Sequence, residues 1–394
     1  MPLSLSNILL LLAAAQGFFL AALILHRHGR LFANRFLGTL MLVYSIILLH
    51  LFLGELGREP SRPHLIALII GLGFLAGPLH YLYASYLVHS RTRFRAKDAL
   101  HFTPFALFSG LILFDAFVVE TGLLTRIVYA ETSETLLVYF LFNWTILSQV
   151  SVYMVLTLLL LRRHGRYIRD LFSTIDRIKV DWLRNMTLLA MAFMLVFLLE
   201  NVFFIFGVNL SDYFTLTSVL VAIYVYAIGY LGLFKAEVFA RPEVAGPIRD
   251  LPGISYQSRM DHPGAVEKYR KSGLSPERAE HYTRELLNLM ERSEPYTRSD
   301  LTLNQLADML SISPHNLSEI INTRLQQNFF DFVNLYRVNK VKRDLLDPAK
   351  SHLKVLALAF DAGFNSKSSF NAIFKKQTRQ TPSEFRRRNA RPPA

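Results

Sequence analysis

Long apolar runs fill the first 234 residues and set the strongest limit on how this chain can fold. Seven of them stand at about 5–25, 36–54, 65–87, 101–119, 136–161, 187–207 and 213–234, separated by short charged connections. Crossing the hydrocarbon of a bilayer takes roughly 20 mostly apolar residues, and a helix lets one segment satisfy its own backbone there. Composition agrees: 52% of the 394 residues are apolar and 19% charged, against about 25% charged in an ordinary soluble domain. The reading is an all-α protein that opens with a seven-helix transmembrane bundle at 1–234. The first run has no basic residue before Ile8 and no clear small-x-small cleavage site. It therefore reads as a retained helix and not as a signal peptide.

Lys and Arg sort the connections into two sides. Arg27, Arg30, Arg35, Arg91, Arg93, Arg95, Lys97, Arg162, Arg163, Arg166, Arg169, Arg177, Lys179 and Arg184 make fourteen on one side; Arg58, Arg62 and Arg126 make three on the other. Short loops kept in the cytoplasm are enriched in Lys and Arg. The expectation is a multi-pass protein of the bacterial inner (cytoplasmic) membrane, embedded in membrane lipids, with its N-terminus outside and its C-terminal domain inside. An odd number of crossings fits that assignment.

Ionisable groups within such runs are costly and often functional. Asp115 in the fourth run and the Glu200-Asn201 pair in the sixth are the clearest, with Gln16, His50, His80, Asn143 and Gln149 as further polar points. Glu200, Asn201 and Asp115 are candidates for a polar pocket that takes an unknown signal ligand or protons. The plainer alternative is that they hold helices together.

After Arg241 no run is long enough to cross a membrane. Residues 235–274 read as a cytoplasmic linker with scattered proline (Pro242, Pro247, Pro252, Pro263), expected to carry the signal onward, and 275–394 as a helical domain. Ser275-Pro276-Glu277 opens a helix: serine at the N-cap, proline in the first turn, glutamate at the positive end of the dipole. In 303–310 the apolar residues Leu303, Leu306, Ala307 and Leu310 recur at helical spacing. Ser311-Ile312-Ser313-Pro314 then reads as a turn with a serine cap, and a second helix presents Leu317, Ile320 and Ile321 on one face. About 52 residues later the pattern returns, with Val355, Leu358 and Ala359, a Gly363-Phe364 turn, a Ser366 cap, and Phe370 and Phe374. Two short helices about a tight turn make a helix-turn-helix, so the tail reads as two such units. A helix from about Phe329 to Leu346 joins them, and Thr381-Pro382-Ser383-Glu384 reads as a capping box opening a last helix.

The whole chain carries a net charge of +13, and from Arg284 to Arg391 there are 18 Lys and Arg against 11 Asp and Glu. A basic excess on such a framework is the footprint expected of phosphate contact. The stretch Ala359-Phe360-Asp361-Ala362-Gly363-Phe364-Asn365-Ser366-Lys367-Ser368-Ser369-Phe370, then Phe374-Lys375-Lys376, then Thr381-Pro382-Ser383-Glu384-Phe385-Arg386, resembles the signature of AraC/XylS-type transcription regulators. The resemblance covers roughly 285–388, and the layout is similar to membrane-anchored members with a multi-helix sensor. The chain departs from the family where a glycine is usual near Arg379 and frequent near Gln326. The resemblance implies two recognition helices entering successive major-groove segments of double-stranded DNA. Residue chemistry fits: Ser313, His315, Asn316 and Glu319 open the first recognition helix, and Asn365, Lys367, Ser368 and Asn371 open the second. Asn pairs bidentately with adenine and Glu accepts from cytosine. The expected base readers are His315, Asn316, Lys367 and Asn371. The expected backbone clamps are Ser313, Lys375, Arg386 and Thr381, the last at a helix start whose amides could hold a phosphate. Arg337 has a second reading, as a structural bridge between helices.

Zero cysteines exclude disulfides, cysteine zinc sites, iron–sulfur ligation and thiol nucleophiles. No phosphate-binding loop, G-x-S-x-G elbow or H-E-x-x-H pair occurs. No enzyme, cofactor or metal site is expected. The leading reading is a membrane-bound one-component transcription regulator, working as a homodimer with RNA polymerase as a partner. Two others stand beside it. A transporter or channel with a regulatory tail would show matched Gly/Pro interruptions, of which the third run has Gly71, Gly73 and Gly77-Pro78. A membrane scaffold would use the tail to bind protein.

Overall fold

The computed structural model describes residues 5–27, 31–57, 63–115, 117, 133–176, 178–205, 220, 222–232 and 274–389. The chain divides into two compact units, one of residues 1–162 and 180–251, the other of residues 163–179 and 252–394. Of the expected linker, all but Leu274 lies outside the described residues.

The first unit follows from its apolar runs. Its helices are α1 (Leu5–Arg27), α2 (Phe32–Glu55), α3 (Pro63–Gly71), α4 (Gly73–Val88), α5 (Thr103–Phe114), α6 (Ser133–Leu171), α7 (Asp181–Ile205) and the shorter α8 (Ala222–Gly232). The end of α6, from Arg163, belongs to the second unit. Among the described residues five stretches are long and apolar enough to cross a membrane: Asn7–His26, Phe32–Gly54, His64–Val88, Leu141–Leu171 and Asp181–Leu199. The expected seven are therefore met at five places. In the fourth run the described helix has 12 residues, after a 3-10 turn at Ala96–Phe102. In the seventh it covers Ala222–Gly232. Residues 118–132 and 206–219, where those runs continue, lie outside the described residues.

Small residues let these helices approach. A Cβ on Gly77 would stand 2.9 Å from the Tyr153 ring, so α4 and α6 meet closely there. Buried His80 hydrogen-bonds through Nε2 to Thr187 Oγ1 at 3.0 Å and joins α4 to α7. His101 Nδ1 and the Tyr153 hydroxyl are 2.9 Å apart. His80 thus acts as helix glue. Asp115 follows the end of α5, half-buried, and Glu200 and Asn201 lie near the end of α7.

The second unit is helical too: α9 (Pro276–Arg292), α10 (Leu303–Met309), α11 (Pro314–Glu319), α12 (Phe329–Leu346), α13 (Val355–Asp361), α14 (Lys367–Thr378) and α15 (Pro382–Asn389). Its helix starts are chemically marked. Ser275 Oγ accepts from the Arg278 N–H at 3.4 Å, and Asn328 Oδ1 from the Asp331 N–H at 2.8 Å. Thr302 and Gln305 form a reciprocal capping box. The central helix α12 serves two cores. Its first half buries Phe329, Phe332 and Val333. Its second half places Val338, Val341 and Leu345 in a cluster with Leu358, Ala359, Phe364, Phe370 and Phe374.

Residues 163–179 pack into this second unit, which sequence periodicity does not foreshadow. Phe172, Ile175 and Ile178 are buried. Phe172 forms an antiparallel bridge to Thr302, and the Ser173 N–H and hydroxyl both donate to the Leu301 carbonyl, at 3.2 and 2.7 Å. The Thr174 hydroxyl donates to the Ser299 carbonyl at 2.8 Å.

Candidate nucleic-acid interface

Both expected turns form, and they close alike. In the first, the Ile312 N–H donates to the Ala307 carbonyl at 3.1 Å; in the second, the Phe364 N–H donates to the Ala359 carbonyl at the same distance. Both alanines are fully buried. The residue four places after each alanine takes a left-handed backbone: Ser311 at φ +54° and Gly363 at φ +96°. A small residue four places after each alanine lets the second helix cross closely over the first, and the positive φ is a further reason for it. At Gly363 both demands meet, because a Cβ there would stand 2.4 Å from the Tyr296 carbonyl oxygen.

Each recognition helix is capped as its sequence indicates. Ser313 Oγ accepts from the Asn316 N–H at 3.1 Å, and Ser366 Oγ from the Ser369 N–H at 3.2 Å. Inward faces are core: Leu317, Ile321, Phe370 and Phe374 are at most 1% exposed. That orientation leaves most of the polar residues outward, although one Glu319 carboxylate oxygen is buried on the side of α9. Ser313 is exposed, while His315, Asn316 and Glu319 are half-buried. On the second unit Asn365, Lys367, Ser368, Asn371 and Lys375 are all exposed.

The basic residues divide by what they touch. Arg337, 1% exposed, is internal: Nε donates to the Tyr296 carbonyl at 2.7 Å and Nη2 to the Arg298 carbonyl at 2.8 Å. Nη1 reaches the Ser173 carbonyl at 3.1 Å and Thr174 Oγ1 at 3.2 Å, and Nη2 reaches Ser173 Oγ at 3.0 Å. Its carbon centre also lies 5.9 Å from the centroid of the Phe364 ring in the second turn. Burial pulls the guanidinium pKa down to about 10, which leaves it charged at neutral pH. Lys340 pairs with Glu294 at 2.7 Å and Lys376 with Asp331 at 3.0 Å.

Two expected clamps are engaged elsewhere. The Arg386 guanidinium donates to the carbonyls of Leu353, Lys350 and Ser351, bracing the turn before α13. Thr381 forms the expected capping box: its N–H donates to Glu384 Oε2 at 2.8 Å, and Thr381 Oγ1 accepts from the Glu384 N–H at 3.3 Å. The Thr381 N–H holds the Glu384 carboxyl below its ordinary range. Those two amides, read from sequence as phosphate donors, already have a carboxylate and a hydroxyl as partners. Lys367, Lys375, Arg387 and Arg388 remain exposed with no ion pair among the described residues.

Comparison with known proteins agrees with this geometry. A family model described as a helix-turn-helix domain matches residues 306–388. The carboxyl-terminal unit carries a helix-turn-helix domain of the AraC type. An uncharacterized HTH-type transcriptional regulator of Staphylococcus aureus strain COL is 32% identical over 87 residues, which is 22% of this chain and 11% of that protein. Similar regulators of strains MSSA476 and N315 match with the same identity and coverage. The chain thus spans about a tenth of the length of these curated relatives. No solved structure matches significantly.

Proposed function

We propose that this protein is a membrane-bound one-component transcription regulator. Its apolar unit receives a signal, and its carboxyl-terminal unit binds double-stranded DNA with sequence preference through two recognition helices. The observation that carries the reading is the pair of serine-capped helices, each with an apolar inward face and a polar outward face, built on one central helix. His315, Asn316, Lys367 and Asn371 read bases in this proposal, with Glu319, Asn365 and Ser368 beside them. Ser313 and Lys375 hold phosphates, whereas Arg386 braces the fold. Five membrane-length stretches and the fourteen-to-three division of basic residues support a multi-pass inner-membrane protein with this unit in the cytoplasm. Glu200, Asn201 and Asp115 are the proposed sensing residues. Two copies side by side would bind repeated half-sites through raised effective concentration, and contact RNA polymerase from the promoter.

The test is selection of duplexes from a random pool by the full chain in lipid nanodiscs at about 150 mM salt. Recovery of a common motif, lost when Asn316 and Asn371 are both changed to Ala, supports the proposal. A pool that stays random at every salt concentration overturns it.

A further inference from the structure

The N-terminus of the second recognition helix is occupied by another part of the same chain. Asp176 Oδ2 accepts a hydrogen bond from Ser366 Oγ at 2.7 Å, and its other oxygen lies 3.2 Å from Lys179 Nζ. Ser366 is the N-cap of α14, so this carboxylate sits at the positive end of the helix dipole. Around it stand Asn365, Lys367 and Ser368, exposed residues of the proposed reading surface. The segment bearing Asp176 is fixed by more than this bond. Arg337 and Asn334 donate to the Ser173 carbonyl at 3.1 and 3.0 Å, and Ser173 and Thr174 donate into the 299–301 backbone. Ser173 is 1% exposed.

We infer that residues 172–176 form an autoinhibitory strap, anchored by Arg337, whose Asp176 carboxylate holds the position at the second recognition helix that a DNA phosphate needs. The inference rests on the DNA-binding reading above. Phosphate is recognised by the same groups that Asp176 engages: a capping hydroxyl and the positive end of a helix. A carboxylate in place both takes the hydroxyl and repels the incoming anion. The strap also has a route to a signal. The helix α6 supplies residues to both units and ends at Leu171, directly before the strap. A shift or rotation of α6 that favours the undocked strap would free the helix end. The signal moves this equilibrium only by its differential affinity for the two states.

The experiment uses the full chain in nanodiscs and a duplex recovered from the random pool by either the wild type or Asp176→Asn. Asp176→Asn is expected to bind this duplex about tenfold tighter than wild type, the size of one charge-assisted contact removed from competition. Asp181→Asn, the same charge change on a side chain paired with Arg184 at 3.3 Å, is expected to change affinity less than twofold. Because the chain has no cysteine, Asp176→Cys with Ser366→Cys offers a single cross-link. The oxidised form is expected to bind about tenfold more weakly than the reduced form of the same double variant, a comparison that separates docking from any loss of folding and from the loss of the Ser366 hydroxyl. Equal affinity of the oxidised and reduced forms, or of Asp176→Asn and wild type, overturns the strap while DNA binding stands. Failure of every form to prefer any duplex overturns the DNA-binding reading and the strap together.

Discussion

Replacing Arg337 with Met tests whether one buried cation organises the DNA-binding unit. Its guanidinium reaches three carbonyls, those of Tyr296, Arg298 and Ser173, as well as the hydroxyls of Ser173 and Thr174. Met fills a similar volume and donates nothing. The Ser173 carbonyl keeps Asn334 Nδ2 and the Arg298 carbonyl keeps the Leu301 N–H as donors, so the Tyr296 carbonyl is the one left bare, at about 1–3 kcal/mol. Against that stands the desolvation of a charge, several kcal/mol in wild type and absent in the variant. Hydrogen bonds to a charged group contribute about 1.5–3 kcal/mol each in net terms, so losing the two to the Tyr296 carbonyl and the Ser173 hydroxyl costs about 3–5 kcal/mol once non-additivity is allowed for. Arg337→Met should therefore destabilise the unit by about that much. The assay is amide hydrogen exchange of α12 and of residues 296–302 in the full chain in nanodiscs. Protection there should fall by roughly two to three and a half powers of ten at 1.4 kcal/mol per tenfold. Arg337→Lys should recover little, since an ammonium cannot reproduce the planar fork. A fall of less than tenfold in Arg337→Met would refute the reasoning, because it would mean that the hydrogen bonds only balance the cost of burying the charge.

Further outcomes follow from backbone, titration and surface charge. Gly363→Ala meets both a φ of +96° and a carbonyl oxygen 2.4 Å from the new Cβ; it should cost at least about 2 kcal/mol by thermal denaturation of the full chain. Arg379→Gly relieves a left-handed residue at φ +62° and should stabilise by about 1 kcal/mol, measured the same way. The Glu294 carboxyl is lowered chiefly by its hydrogen bond from Lys340. Its contribution is fully present above the ordinary value near 4.5 and is lost as pH falls through the lowered folded value. Glu294→Gln should flatten that acid limb of the stability curve, and an unchanged limb would remove the pair from the account. On DNA, Asn371→Ala should weaken binding to the selected motif by about 1–3 kcal/mol and relax one base position. Lys375→Ala should instead weaken all sequences and reduce the salt slope by about one, both read by titration across salt.

The parts of this fold that show in the sequence are those set by neighbours a few residues apart. Ser275, Ser313, Ser366 and Thr381 each cap the helix that follows, because a cap needs only a short side chain and an amide three residues on. The limits of α12 fall at Phe329 and Leu346 for the same local reason, Asn328 before and Asp347-Pro348 after. The expected glycine positions near Gln326 and Arg379 prove to be left-handed, at φ +55° and +62°, so the backbone keeps the shape that the resemblance implies without its usual residue. What does not show is set by distance along the chain. Nothing in Ser173-Thr174-Ile175-Asp176 marks a strap, since its partners Leu301, Arg337 and Ser366 lie more than a hundred residues away. Arg386 misleads for a related reason: a basic side chain in a charged run looks the same in sequence whether it faces solvent or three carbonyls. Even the charge count of the apolar half carries a second meaning. In sequence Arg163, Arg166, Arg169, Arg177 and Lys179 look like an inside-facing connection, yet this connection belongs to the unit that carries the helix-turn-helix domain. If the proposed topology and strap both hold, the residues that orient the chain border those that govern access to the second recognition helix, and a change there would alter topology and regulation together.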